Sequence, residues 1–262
     1  MLRSIGTGLL LLSSLTACAV PGSAPVPAPT PAPTPTSLPP LLIVTVGDSL
    51  TFGDKDDSAE GGGWPRRLQL LVQPRTQIVN LAQPGWTSRD LLQDRDGTPN
   101  QIDEAVRMLR EASGDTIVTV WIGTNDLFYL YEFGDPTPAA EAQEADRFGR
   151  DLEEVVRRLT ETGARVFIAL LHDPSQGPVQ SSGVFMSTSA EEWARMSQQA
   201  QRYNEIIKTE ATLYGAALVD IPAAQIFTTP ALMYEDGIHP NARGYDELAK
   251  VWWNALRDRL TR

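Results

Sequence analysis

Five residues, spread over four short blocks of the sequence, could together carry out acyl transfer. They are Ser49, Gly85, Asn125, Asp236 and His239. A serine hydroxyl is a weak nucleophile at neutral pH and needs a base within hydrogen-bond reach to take its proton. His239 is the candidate base, because an imidazole can accept that proton and later return it. Asp236, three residues earlier, can bind the other ring nitrogen and stabilise the imidazolium.

The tetrahedral intermediate of acyl transfer carries a negatively charged oxygen, which needs hydrogen-bond donors. The candidate donors are the Ser49 N–H, the Gly85 N–H and the Asn125 side-chain amide. Removing one such donor typically costs about 2.7 to 4 kcal/mol of transition-state stabilisation. Asn125 is therefore as important a target as the three residues of the triad.

Side chains next to these blocks are candidates for a substrate pocket. Trp86 and Phe128 lie just beyond two of the blocks, and we assign both to the pocket walls together with Asp48 beside the nucleophile. Trp252 and Trp253 could also line a hydrophobic groove. On a terminal amphipathic helix, however, at least one of the two is expected in the core.

The second histidine of the chain, His172, is an alternative base. It follows a predicted strand near the same edge of the sheet and precedes Asp173 directly. Neighbouring side chains on an extended chain point apart, so Asp173 is poorly placed to orient the His172 ring. We interpret His172 as a substrate contact or a surface residue and keep His239 as the base.

Neither a metal ion nor a cofactor is expected. The single cysteine, Cys18, excludes a cysteine-based zinc site and an internal disulfide. The acidic residues Asp54, Asp56, Asp57 and Glu60 lie close together but lack the glycine and the terminal glutamate spacing of an EF-hand calcium loop. We interpret this run as a solvated loop beside the nucleophile.

The elements that must position these residues alternate between strand and helix. Apolar, β-branched runs predict buried strands at 41–46, 77–81, 116–122, 165–171 and 217–221, and helical patterns lie at 64–72, 101–112, 139–162, 190–213 and 242–260. Ligands of a parallel sheet bind beyond the carboxyl ends of its strands, where most of the blocks fall. The pattern predicts one three-layer α/β/α domain at 41–262, with a five-stranded parallel sheet. Residues 175–189 lack periodicity and are interpreted as a binding-site loop or a mobile one.

The N-terminal segment is predicted to direct export. Arg3 precedes an apolar run at 5–15 that is too short to span a bilayer, and small residues follow. Residues 1–17 are therefore predicted to be a signal peptide. Residues 15–18, Leu-Thr-Ala-Cys, resemble the lipobox of bacterial lipoproteins, which implies cleavage before Cys18 and lipidation of its thiol. An ordinary secreted protein with an incidental cysteine is the alternative.

Residues 18–40 are predicted to be a linker behind the lipidated cysteine. Nine prolines between positions 21 and 40 forbid a helix or a central strand. Such a segment favours extended polyproline II at about 3.1 Å per residue and could hold the domain up to ~60 Å from its anchor. A proline-rich docking peptide is the alternative interpretation.

Taken in order, the four blocks resemble those of GDSL-type, or SGNH, hydrolases over residues 41–262. The serine, glycine, asparagine and histidine of that acronym correspond to Ser49, Gly85, Asn125 and His239. The resemblance implies a flavodoxin-like fold, metal-free ester hydrolysis and a triad role for Asp236. Ala82 stands where a glycine is common in the family. The blocks look closest to the lysophospholipase/esterase branch.

Charge narrows the partners that the chain can have. The formal net charge is −11, so binding to nucleic acid or to an anionic membrane surface by charge is not expected. We expect a monomeric esterase, held at the cell envelope or surface by its lipid anchor, that acts on short or medium acyl esters or on lysophospholipid-like esters. The alternatives are a carbohydrate O-acetylesterase and a tethered lipoprotein that binds glycans or lipids without catalysis.

Overall fold

Five strands form one parallel sheet in the computed structural model of the chain, which describes residues 40–72, 75–132, 135–181, 183–185 and 188–260. The strands are β1 (Leu41–Gly47), β2 (Thr76–Asn80), β3 (Asp115–Trp121), β4 (Arg165–Ala169) and β5 (Ala217–Val219). Their order across the sheet is β2-β1-β3-β4-β5, and every neighbouring pair is parallel. The predicted α/β fold with a five-stranded parallel sheet is confirmed.

Seven α-helices and six short 3-10 helices connect or follow the strands in the described part of the chain. The α-helices are α1 (Ser49–Phe52), α2 (Gly63–Leu71), α3 (Gln101–Glu111), α4 (Thr124–Glu132), α5 (Pro138–Thr160), α6 (Ala190–Tyr214) and α7 (Ala242–Leu260). The 3-10 helices are Pro174–Gln176, Pro178–Ser181, Gly183–Phe185, Pro222–Ala224, Ile226–Thr228 and Pro230–Leu232.

The strand order places helices on both faces of the sheet. The chain steps one way from β1 to β2 and the other way from β2 through β3 and β4 to β5, so right-handed crossovers put α2 on the face opposite α3, α5 and α6. On one face, Trp64 of α2 stacks on Trp252 of α7 with ring centroids 4.5 Å apart. On the other, Phe148 of α5 stacks on Tyr203 of α6 at 4.3 Å. Trp252 is thus the core residue of its pair of tryptophans.

The central strands are buried on both faces, as shown by adjacent residues of β1 and of β3 that are both buried although their side chains point to opposite faces of the sheet. Ile43 and Val44 are adjacent in β1 and fully buried, as are Ile117 and Val118 in β3. Burial on both faces explains why these strands read as continuous apolar runs rather than as alternating patterns.

The structure differs from the sequence-based elements in several places. The one-turn helix α1 was not predicted, and β4 ends at Ala169, two residues before its predicted end. A helix that was not predicted, α4, starts directly after β3 at Thr124. β5 ends at Val219, two residues early, because the Ile221 N–H turns back to the Val219 carbonyl at 3.1 Å. The segment predicted to lack structure contains three short 3-10 helices.

The predicted signal peptide, the predicted lipidation site at Cys18 and the linker up to residue 39 lie outside the described residues. No helix within the described ranges has both the length and the apolar character needed to cross a membrane.

Candidate active site

A continuous chain of hydrogen bonds joins the start of the domain to its end. The Ser49 hydroxyl oxygen lies 2.9 Å from Nε2 of His239, and Nδ1 of the same ring lies 2.8 Å from Oδ2 of Asp236. The structure thus brings together the three residues that the sequence predicts as a triad, across 190 positions of the chain. Ser49 keeps 8% of its surface exposed, so its hydroxyl can be reached from solvent.

Ser49 is held at the junction between β1 and α1. Asp48 caps this one-turn helix, and its side chain accepts a hydrogen bond from the Leu50 N–H at 3.0 Å. Gly47 has a φ of 157°, and a Cβ at this position would lie 2.4 Å from the Trp121 carbonyl oxygen. Only glycine therefore allows β1 to pass so close to β3 just before the nucleophile.

Gln101, at the start of α3, binds both polar groups of Gly47. The Gly47 N–H donates to Oε1 of Gln101 at 2.8 Å, and Nε2 of Gln101 donates to the Gly47 carbonyl at 2.9 Å. Gln101 is 2% exposed, so these are buried hydrogen bonds. This side chain fixes the end of β1, and no local sequence pattern indicates this role because its partner lies 54 residues earlier.

The loop that carries His239 is held mainly by its own hydrogen bonds. Oδ1 of Asp236 accepts from the Ile238 N–H and from the His239 N–H, each at 2.9 Å. Burial alone would raise the pKa of Asp236, but the hydrogen bonds from the His239 side chain and from these two N–H groups outweigh it and lower that pKa. Asp236 therefore presents a carboxylate to the imidazole.

The predicted oxyanion donors follow the strands on either side of β1. The Asn125 side-chain amide donates one hydrogen to the Trp86 carbonyl at 2.9 Å, and its second hydrogen remains available. The Gly85 carbonyl accepts from the Tyr129 hydroxyl at 3.1 Å and from the Arg95 guanidinium at 3.0 Å. The bonds from Asn125 and Tyr129 fasten the Gly85 loop to α4, whereas the bond from Arg95 comes from the same connection between β2 and α3.

Two backbone donors at the site have no internal partner. Within the ranges that the structure describes, neither the Ser49 N–H nor the Gly85 N–H donates a hydrogen bond to another protein group. Gly85 has a φ of 75°, the left-handed conformation that glycine adopts most easily. Both groups are free to donate to a ligand.

A buried carboxylate ties the Gly85 loop to the third block. Asp126 accepts from the Ser88 N–H at 2.9 Å and from the Ser88 hydroxyl at 2.5 Å, and Arg147 of α5 donates to it at 2.9 Å. Burial raises the pKa of Asp126, although the bonds from Ser88 and Arg147 oppose the shift. The sequence analysis missed this network, which holds Asn125 through its neighbour in the chain.

Asp48 is a buried carboxyl group next to the nucleophile. Burial raises its pKa to about 7, while the hydrogen bond from the Leu50 N–H and the nearby His239 lower it. Asp48 is 1% exposed, so it lies beneath the nucleophile rather than on an open pocket wall.

The two aromatic residues assigned to the pocket lie mainly in the core. Trp86 is 5% exposed and Phe128 is 7% exposed, and the Phe128 ring packs against Phe185 with centroids 5.0 Å apart. Each has only a narrow edge left for a substrate. Two exposed aromatic rings on the helices that follow the blocks were not among the predicted pocket residues. They are Phe52 on α1 and Tyr129 on α4.

His172 is not a surface residue, and that part of its interpretation is wrong. It is 8% exposed, and its ring stacks on Phe227 with centroids 3.8 Å apart. Burial lowers the pKa of His172 to about 4, and its Nδ1 has no hydrogen-bond partner among the residues that the structure describes. The Ser49 hydroxyl binds the His239 ring.

The acidic run after the nucleophile is only partly solvated. The Asp56 side chain is 1% exposed and pairs with Arg67 of α2 at 2.5 Å. This ion pair joins the loop to α2. Asp57 accepts from the first N–H of α7 at 2.6 Å. Within the described ranges, no group of three or more histidine, cysteine, aspartate or glutamate residues is arranged to hold a metal ion.

Solved structures share this fold at low sequence identity. TesA is 20% identical, with a TM-score of 0.57, over 83% of this chain and 98% of its own. Axe2, an acetylxylan esterase from Geobacillus stearothermophilus, is 19% identical with a TM-score of 0.57, over 82% and 93%. The psychrotrophic esterase EstA from Pseudoalteromonas sp. is 17% identical with a TM-score of 0.57, over 84% and 99%.

Comparison by sequence gives a family but no individual relative. No curated protein matches the chain in sequence. The family model for GDSL-like lipases and acylhydrolases matches residues 45–247, which include Ser49 and His239. The chain belongs to the GDSL-like lipase/acylhydrolase family.

Proposed function

We propose that this protein is a serine esterase that hydrolyses carboxylic esters through an acyl-enzyme. The observation that carries the proposal is the hydrogen-bonded series from the Ser49 hydroxyl through His239 to Asp236, at 2.9 and 2.8 Å. These distances suit proton transfer without a change of side-chain position. A protein that only bound its ligand would not need this series.

In the first half of the reaction, Nε2 of His239 takes the Ser49 proton while the serine oxygen attacks the ester carbonyl. Asp236 accepts a hydrogen bond from Nδ1–H, which holds the imidazole in the tautomer with a free Nε2, and it stabilises the imidazolium that forms. The resulting oxyanion accepts hydrogen bonds from the Ser49 N–H, the Gly85 N–H and the free hydrogen of the Asn125 amide. Collapse of this intermediate breaks the bond to the alcohol, which leaves with the proton from His239.

In the second half, water replaces the alcohol. His239 takes a proton from the water as its oxygen attacks the acyl-serine carbonyl, and the same donors stabilise the second oxyanion. The proton then passes from His239 to the Ser49 oxygen as the carboxylic acid leaves. Each half-reaction therefore returns the imidazole to its neutral form.

Short or medium acyl esters, including lysophospholipid-like esters, are the substrates that we propose first. A carbohydrate O-acetylesterase is the second candidate, because Axe2, which shares the fold, is an acetylxylan esterase. Hydrolysis of p-nitrophenyl esters of increasing acyl length, together with lysophosphatidylcholine and acetylated xylan, separates the two. Release of acetate from the polysaccharide at a higher kcat/KM than any lipid ester would favour the second.

The decisive experiment compares Ser49→Ala with Ser113→Ala, an exposed serine at the opposite edge of the sheet. We expect the wild type and Ser113→Ala to hydrolyse p-nitrophenyl butyrate, and Ser49→Ala to lose at least about a thousandfold in kcat while keeping its melting temperature. Equal turnover by Ser49→Ala would refute the nucleophile. Loss of wild-type activity in EDTA would refute metal-free hydrolysis.

We also propose that the esterase is exported and anchored through a lipid on Cys18. The lipobox-like residues 15–18 support the anchor, and at about 0.8 kcal/mol per buried methylene two acyl chains would hold the protein at a membrane. Fractionation of a bacterial host tests this. The full-length protein is expected in the membrane pellet and Cys18→Ser in the soluble fraction. Equal distribution would refute the anchor.

A further inference from the structure

We propose that Asp54 selects the alcohol part of the substrate, favouring esters of polyhydroxy alcohols and disfavouring esters of anionic alcohols. The inference rests on the proposed esterase function and concerns the same site. It starts from a second carboxylate at the catalytic imidazole, on the side where the alcohol must leave.

The backbone of Asp54 is fixed between the nucleophile and the last helix. Gly53, with a φ of 93°, turns the chain at the end of α1, and the Asp54 N–H donates to the Ser49 carbonyl at 3.0 Å. The Asp54 carbonyl accepts from the Tyr245 hydroxyl of α7 at 2.7 Å. The carboxylate therefore projects from a held position.

The two carboxylate oxygens of Asp54 have different surroundings. Oδ1 accepts from the Lys55 N–H at 2.9 Å, whereas Oδ2 lies 3.9 Å from Nε2 of His239. That separation is too long for a hydrogen bond. Asp54 therefore does not replace Asp236, which binds the other ring nitrogen at 2.8 Å.

The leaving alcohol and the Asp54 carboxylate must approach the same nitrogen. To receive its proton, the alcohol oxygen has to lie about 3 Å from Nε2 of His239. Oδ2 of Asp54 lies 3.9 Å from that atom, and its side chain is 34% exposed toward solvent. A hydroxyl on the carbon beside the one that bears the ester oxygen can then donate to Oδ2. Glycerol monoesters and partly acylated sugars carry such a hydroxyl.

The charge of Asp54 is not cancelled by a cation. Within the described ranges, no lysine or arginine side chain lies within salt-bridge distance of the Asp54 carboxylate, whereas Arg67 neutralises nearby Asp56. Asp236 adds a second negative charge at the same imidazole. An alcohol with its own negative charge is repelled at this position, while a neutral polyol is not.

The test compares butyrate esters of three alcohols, so that the acyl group stays constant. Propyl butyrate has no neighbouring hydroxyl, glycerol monobutyrate has one, and the butyrate ester of 2-hydroxyethanesulfonate carries a negative charge. We expect wild-type kcat/KM to be highest for the glycerol ester and lowest for the sulfonate. A single charge about 6 Å away in a half-exposed site changes kcat/KM roughly tenfold.

Asp54→Asn removes the charge but keeps an oxygen for the Lys55 N–H. Relative to propyl butyrate, we expect kcat/KM of this variant to rise about tenfold for the sulfonate ester and to fall several-fold for the glycerol ester. The matched control is Asp57→Asn, which also removes one charge from this loop. The Asp57 side chain binds the start of α7, not the imidazole. The control is expected to keep the wild-type ratios.

A measurement on the wild type alone gives a second test that needs no stable variant. Added salt screens the charge of Asp54, so relative kcat/KM for the sulfonate ester should rise between 10 mM and 500 mM salt. Unchanged ratios in Asp54→Asn, or wild-type ratios that do not respond to salt, would overturn the role of Asp54 and leave the esterase proposal intact. If the wild type hydrolyses none of the three esters or p-nitrophenyl butyrate, both proposals are wrong.

Discussion

Gln101→Glu tests whether the hydrogen bonds to Gly47 hold the nucleophile in place. The wild-type amide accepts from the Gly47 N–H at 2.8 Å and donates to the Gly47 carbonyl at 2.9 Å. In the variant, a carboxylate keeps the first bond but turns an oxygen toward the carbonyl. A protonated carboxyl group can still make both bonds, because its O–H replaces the amide N–H.

The expected cost follows from burial, since Gln101 is 2% exposed. Leaving a buried polar group unpaired costs about 1 to 3 kcal/mol, and more when a charge is buried with it. We take about 3 kcal/mol, which corresponds to a fall of roughly 6 to 12 °C in melting temperature for a domain of this size. Burial also raises the pKa of the introduced carboxyl, so the loss should shrink as the pH falls.

The assay is thermal unfolding of the variant and the wild type at pH 8 and pH 5, with Gln201→Glu on the exposed face of α6 as the control. The difference from wild type should be large at pH 8, smaller at pH 5 and near zero for the control. At pH 8 we expect kcat for p-nitrophenyl butyrate to fall at least tenfold with KM nearly unchanged, because a misplaced nucleophile slows chemistry. Equal destabilisation at both pH values, or unaltered kcat, would refute the reasoning.

Three further predictions concern buried charged or titratable groups and are read from urea unfolding. Because burial raises the pKa of Asp48 to about 7, the free energy of unfolding of the wild type minus that of Asp48→Asn should fall by about 1.4 kcal/mol per unit as the pH rises from 4 to 7, and a difference that does not change with pH would contradict this. Because burial lowers the pKa of His172 to about 4, the free energy of unfolding of the wild type minus that of His172→Phe should fall at the same rate as the pH drops from 6.5 to 4, and a difference that stays constant would contradict this. Asp126→Ala should cost about 3 to 5 kcal/mol, since it leaves Arg147 and Ser88 without their buried partner; a cost under 1 kcal/mol would contradict it.

The sheet and the residues of the candidate triad could be picked out from the sequence because their signals are local. A run of buried β-branched residues such as 41–46 identifies a strand wherever it occurs, and short polar blocks such as Gly-Asp-Ser-Leu are recognisable by their letters. The start of α4 was missed because its own local signal points to a turn. Its first residues, Thr124 to Asp126, read as turn chemistry, and the apolar residues that show the helix come only after them.

Burial was the property that the sequence conveyed least well. His172 follows a strand and precedes a polar segment, so it reads as a surface residue, but Phe227 from a distant turn covers its ring. Asp56 reads as part of a solvated acidic loop until Arg67 of α2 is placed beside it. In both cases the side chain that buries the residue comes from another element, and no local sequence pattern predicts that contact.

The two halves of the candidate triad are held by different kinds of contact. The nucleophile depends on partners far along the chain, since Gly47 is bound by Gln101 and by the Gln83 N–H, which donates to its carbonyl at 3.2 Å. The base depends on its own loop, where Asp236 binds two N–H groups within three residues and the Tyr234 N–H donates to the His239 carbonyl at 2.8 Å. Substitutions that weaken packing between elements should therefore displace Ser49 before they disturb the imidazole.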